Sequence, residues 1–122
     1  MLSIEQKHLV FDRWIRESSK SYNIASPQLY WGDIADAAGG GFYDSKKNII
    51  VMSPTRASLI TLMHEFRHTL QAAGVPDMIS EDKEIDARAW SLSLYYQVRP
   101  LLLKKLVLEG KVFHIAKTAF EE

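Results

Sequence analysis

The run Asn48-Ile49-Ile50-Val51-Met52-Ser53-Pro54-Thr55, with Ser58-Leu59-Ile60-Thr61-Leu62-Met63-His64-Glu65-Phe66-Arg67-His68 just beyond it, decides how this chain is read. Ile49 to Met52 is apolar, rich in β-branched residues and bounded by polar ones, which predicts a strand. Ser53-Pro54-Thr55 ends that strand and predicts a helix start, with Ser53 or Thr55 as cap and Pro54 in the first turn. The helix carries residues 64–68 and should stop near Gly74, before Pro76.

Upstream, Gly39-Gly40-Gly41 and Phe42-Tyr43 precede the polar turn Asp44-Ser45-Lys46-Lys47-Asn48, so Phe42-Tyr43 and Ile49–Met52 form a predicted hairpin. The glycines are not a phosphate loop, because no Gly-Lys-Ser/Thr follows and no helix opens there. Gln28 to Ile34 is a further strand. Ser3 and Gln6 make a capping box for a first helix, in which Ile4, Val10, Phe11, Trp14 and Ile15 recur at helical spacing through about Arg16. Residues 18–23 are polar and predict a loop.

Downstream, Ser80-Glu81-Asp82 opens a helix that passes Trp90, Leu94 and Tyr95 and breaks at Pro100. Leu101 to Leu108 is apolar and helical, closed by Gly110; the tail 111–122 carries no clear signal. The expected architecture is α+β in one domain, 1–122. It comprises an N-terminal helix, a small antiparallel sheet, the helix bearing residues 64–68, and C-terminal helices.

Bulk composition narrows the functional classes. The chain has 122 residues, 47% hydrophobic and 25% charged, ordinary values for a globular domain with a real core. Fifteen basic and fifteen acidic residues balance. Nucleic acid and membrane are therefore not expected partners, and the pairs Lys46-Lys47 and Lys104-Lys105 read as solvated faces. Cysteine is absent, so a transition-metal site would use nitrogen and oxygen ligands. The first residues lack the pattern of a secretory signal, apolar runs are too short to span a bilayer, and a cytoplasmic location is expected.

His64 and His68, four residues apart on a helix, project from one face and can reach the same zinc ion. Glu65 beside them can act as general base, taking a proton from zinc-bound water and passing it to a leaving group. A catalytic zinc needs a third protein ligand and an open position. The acidic helix after residue 80 offers Glu84 first, with Glu81 and Asp86 as rivals. Asp86 could instead hold a histidine's free ring nitrogen. Glu84 and Arg88 share a helix face, and Ala87 is small enough for close packing. Tyr43, Arg88 and His114 are candidate donors to the oxyanion of a tetrahedral intermediate.

Residues 40 to 91 resemble the core of a minimal gluzincin, in particular the ImmA/IrrE-type zinc metallopeptidases and their small phage or mobile-element relatives. The resemblance is carried by Gly41-Phe42-Tyr43-Asp44, Asn48-Ile49-Ile50-Val51-Met52, His64-Glu65-Phe66-Arg67-His68 and Glu84-Ile85-Asp86-Ala87. It implies a zincin-like fold, zinc held by His64, His68 and Glu84, one ion per chain, and Glu65 as base. It also implies a substrate groove in which an extended peptide pairs with an edge strand, here Gly40, Gly41, Phe42 and Tyr43. Glycines there would admit a close substrate backbone.

The leading expectation is thus a zinc peptidase, an endopeptidase acting on a peptide or protein. The alternative is a zinc-stabilised binding or regulatory module without significant catalysis; it requires a fourth protein ligand, for which His8 and His114 are the candidates. An added expectation is a helical dimer face on Leu101 to Leu108. The sequence leaves substrate specificity and oligomeric state open.

Overall fold

The structure is a computed structural model that describes residues 3–75 and 77–109. Helix α1 (Ile4–Ser21) opens on the expected capping box. Gln6 N donates to Ser3 Oγ (3.2 Å), and Ser3 N donates to Gln6 Oε1 (2.9 Å). The helix runs through much of the predicted loop at 18–23. Ser19 is buried, yet its hydroxyl donates to the Ile15 carbonyl one turn back (2.7 Å), so a polar residue is satisfied inside the helix.

Strand β1 (Gln28–Trp31) is shorter than the predicted 28–34 strand. Its ladder ends where Gly32 N donates to Met52 O (3.0 Å), and Asp33–Ala38 then coils into a 3₁₀ helix. Strands β2 (Gly41–Asp44) and β3 (Ile49–Met52) form the predicted antiparallel hairpin, with Gly41 opposite Met52 and Asp44 opposite Ile49. The sheet order is β1-β3-β2, and β1 runs parallel to β3. The sheet is therefore mixed, which corrects the antiparallel expectation. With β2 on one side of β3, β1 takes the other side, and β3 becomes the central strand. Ile50, Val51 and Met52 are all buried, which explains why β3 shows no alternation.

Helix α2 (Leu59–Ala72) starts later than predicted. Its cap is Ser58, whose Oγ accepts from Thr61 N (3.2 Å). Ser53 is fully buried and serves a turn instead. Its Oγ accepts from Arg56 N (3.0 Å) and donates to the Asp36 carboxylate, fastening the end of β3 to the 3₁₀ helix. Gly74 (φ +76°) turns the chain out after α2. Helix α3 (Lys83–Val98) is capped by Asp82, which accepts from Glu84 N (2.9 Å) and Ile85 N (3.0 Å). Helix α4 (Pro100–Leu108) follows at once, with Leu101 82% and Leu102 41% exposed on the stretch named as a dimer face. Pro76, Gly110, the tail 111–122 and with it His114 lie outside the described residues. Among the described residues no helix is long and apolar enough to cross a membrane.

The chain is α+β, with α2 packed between the sheet and α3. The core joins Phe11 and Ile15 of α1, Leu29, Ile50 and Met52 of the sheet, and Leu62, Phe66 and Leu70 of α2. Trp14 meets Phe66 edge-on at 5.1 Å.

A polar seam locks α2 to α3. Arg67 donates from Nε to Asp86 Oδ2 (2.7 Å) and from Nη2 to Oδ1 (3.2 Å), with Arg67 and Asp86 both buried. Gln71 Nε2 and Ile79 N add donors to the same carboxylate, each at 2.7 Å, and Arg67 lies 5.6 Å over the Trp90 ring. Burial alone would raise the Asp86 carboxyl. The Arg67, Gln71 and Ile79 hydrogen bonds and the Arg67 charge outweigh it and hold Asp86 at about 2.

Removing one partner of such a pair strands the other. Asp86→Ala is expected to cost about 3–5 kcal/mol at neutral pH, read from urea unfolding. Because the folded pKa lies below the ordinary 3.8, the carboxylate's contribution is complete above pH 4 and lost as pH falls towards 2. The gap between parent and variant should narrow over that window, by up to about 2 kcal/mol; a gap unchanged at pH 2 would contradict this account.

Candidate metal centre

Helical spacing sets the first half of the site. Phe66 and Arg67 face the core and α3, so His64 and His68, one turn apart, look into the cleft with ring centroids 5.0 Å apart. The second half comes from α3. Fully buried Ala87 lets that helix approach, and the Asp82 cap starts it so that Glu84 falls opposite the histidines. Glu84 Oε2 lies 3.3 Å from His64 Nε2, and Oε1 lies 2.8 Å from His68 Nε2. One ligand atom from each of the three residues lies within 4.8 Å of the others.

This donor set fits a zinc ion. Tetrahedral ligands at about 2.0–2.1 Å from zinc stand about 3.3 Å from one another, within the 4.8 Å that bounds the three ligand atoms here. The set is two imidazole nitrogens and a carboxylate, borderline donors that suit zinc. Three groups rich in lone pairs converge, an arrangement that could hold a cation.

The orientation of His68 is fixed by a residue the sequence analysis missed. Gln71 Nε2 donates to Lys83 O (2.9 Å) and to Asp86 Oδ2 (2.7 Å), two groups that only accept. Its Oε1 must then face His68 Nδ1 at 2.8 Å, which makes Nδ1 the protonated nitrogen and turns Nε2 to the cluster. The available signal was spacing: Gln71 stands three residues after His68, on the same face of α2. Asp86 therefore sits outside the donor set and acts on His68 through Gln71. Glu81, the other rival, does not join the cluster either.

Glu65 is buried, 7% exposed, at the floor of the cleft. Burial, and then the charge of Glu84, push its carboxyl up to about 8. Gly41 makes room for it. A Cβ at Gly41 would stand 2.9 Å from Met52 Sδ, 3.2 Å from Thr61 Cγ2 and 3.3 Å from Glu65 Cγ. At Gly41 the close approach is thus to the chain's own side chains. Gly40, at φ +116°, is held by hydrogen bonds to Ala35 and Ser53.

Two chambers flank the cluster, of about 470 Å³ and about 650 Å³, and both are lined by Ala38, His64, Glu65 and Glu84. Arg88 with Ile60 lines the smaller; Gly41, Phe42 and Tyr43 of the edge strand β2 line the larger. Tyr43 gives its one hydroxyl proton to Asn48 Oδ1 (2.8 Å), so none remains for an oxyanion in this arrangement. Burial first, then the Asp44 charge, raise its pKa against a hydrogen bond with Thr69. His8 lies apart, accepting from Trp31 Nε1 (2.9 Å) beside Asp12 and Arg16.

The chain matches no family model, no curated protein and no solved structure. The chemistry of the cleft has therefore to come from its own atoms.

Two outcomes follow. In protein stripped by a chelator, folded Glu65 keeps a proton that the unfolded chain releases near 4.5. Its stabilising contribution is full below that pH and drains away as pH rises through about 8, at up to about 1.4 kcal/mol per pH unit. Urea unfolding from pH 5 to 8 should show Glu65→Gln losing this slope relative to the parent; parallel curves would refute it. Separately, Gln71→Leu should weaken zinc binding about 10–100-fold in competition with a chromophoric chelator. An unchanged affinity would remove Gln71 from the site.

Proposed function

We propose that this chain is a zinc-dependent peptidase with a zincin-like fold, acting in the cytoplasm on a peptide or protein substrate and holding one zinc ion per chain. The observation that carries the reading is the convergence of His64, His68 and Glu84 beside buried Glu65, between two chambers and against an edge strand. The resemblance of residues 40 to 91 to ImmA/IrrE-type metallopeptidases points the same way.

Bound zinc would supply Lewis acidity, polarising a carbonyl and making water nucleophilic near neutral pH. The residues of the chain do the rest. His64, His68 and Glu84 hold the ion, with His68 kept in register by Gln71. The outer edge of β2 offers backbone N–H and C=O groups to an extended peptide, which would lie across both chambers. Glu65 takes the proton from the attacking water as the new C–O bond forms and delivers it to the amine nitrogen as the C–N bond breaks.

The rival reading, a closed structural zinc site, requires a fourth protein ligand. Among the described residues the cluster contains three, and His8 is engaged by Trp31 elsewhere. Three ligands are what a site with an open position would have; His114, the other candidate for a fourth, lies outside the described residues.

The test is metal content and cleavage measured together. Parent and Glu65→Gln should both carry about one zinc per chain, while Glu65→Gln cleaves a peptide mixture at least about 100-fold more slowly. A variant that retains zinc and cleaves as fast as the parent removes Glu65 as the base.

A further inference from the structure

Arg88 stands one turn beyond Glu84 on the same face of α3, at the edge of the smaller chamber. An arginine four residues after a glutamate would ordinarily pair with it. Here the Glu84 carboxylate is turned to the two histidines, at 2.8 and 3.3 Å. Among the described residues the Arg88 side chain makes neither an ion pair nor a hydrogen bond, and the residue is exposed. The neighbouring hydroxyls are already engaged: Ser91 Oγ donates to Arg88 O (3.1 Å), and Thr61 Oγ1 is 2.9 Å from Ser58 Oγ. The guanidinium is thus the group of that chamber with donors to spare.

Position along the cleft distinguishes its role. His64, Glu65 and Glu84 line both chambers, so the bond to be opened lies between them. Arg88 lines one chamber alone, to the side of that point, where a neighbouring residue of an extended substrate would fall. We infer that Arg88 is the specificity-determining residue of this cleft and reads a carboxylate on the peptide beside the bond that is cut. This deepens the peptidase reading and rests on it. A planar guanidinium matches a carboxylate with two parallel hydrogen bonds, a match that a neutral amide cannot return. The carboxylate can be an Asp or Glu side chain or the free C-terminus of the peptide.

The test uses the full chain loaded with zinc, a mixture of peptides of random sequence, and mass spectrometry of the cut sites. The parent should cut with Asp or Glu enriched about ten-fold or more at one fixed position next to the bond, or at a fixed distance from a free C-terminus. Amidating the C-termini separates the two: enrichment that survives belongs to side chains, and cutting that disappears belongs to the terminus. For a matched peptide pair differing by Glu against Gln, or by free against amidated terminus, the ratio of kcat/KM should fall to about one in Arg88→Gln. Arg88→Glu should shift the preference towards Lys and Arg. Cuts without a carboxylate preference, or a ratio that survives Arg88→Gln while both peptides slow equally, overturn the inference and leave the peptidase reading standing. A mixture left uncut by parent and Glu65→Gln alike sinks the peptidase reading and this inference with it.

Discussion

The buried contact between Arg67 and Asp86 is what the remainder of the site depends on. It lies inside the seam between α2 and α3, where both charges are out of water and each needs the other. Its two-pronged geometry fixes how far along α2 the third helix can sit. That one setting determines whether Glu84 meets the histidines, because they stand on α2 and Glu84 on α3. Gln71 ties the same carboxylate to His68, so the structural seam and the candidate metal cluster share a single network. A small domain can thereby hold a three-residue cluster in place without a disulfide.

The features legible in the sequence are those that depend on local spacing. The strand Ile49–Met52, the hairpin with Gly41–Asp44, the Ser3 capping box and the pairing of His64 with His68 need only neighbours within a few residues. Glu84 was legible as the first candidate on the acidic helix that opens after residue 80. Less legible was anything decided by partners far along the chain. The parallel pairing of β1 with β3 joins residues about twenty apart, and no local signal marks it. Ser53 looked like a helix cap because its chemistry suits one; its hydroxyl is claimed instead by Asp36 and a turn. The polar residues at 18–21 stayed helical because Ser19 could satisfy itself against Ile15.

Gln71 and Asp86 carry a similar lesson. Asp86 was weighed as a ligand because acids near a metal motif invite that reading, yet Arg67, the second of the two variable residues between Glu65 and His68, had already claimed it. The identity of an intervening residue in the motif thus bears on the ligand next door. Gly41 likewise looked like an opening for a substrate backbone, whereas Met52, Thr61 and Glu65 fill the space its missing side chain leaves. In both cases the residue is needed for reasons internal to the protein, and the cleft inherits its shape from them.

The position of β2 at the border of the sheet has a consequence for how the molecule behaves in company. A strand whose outer backbone groups are left without partners among the described residues invites pairing with the same strand of another copy, and long, flat edges of this kind seed intermolecular stacking. Here the edge is four residues long, and it ends at Asp44 with Lys46 and Lys47 in the adjoining turn. Brevity and charge are the usual protections of an exposed edge. A strand this short, with charge at its end, is a poor template for self-association.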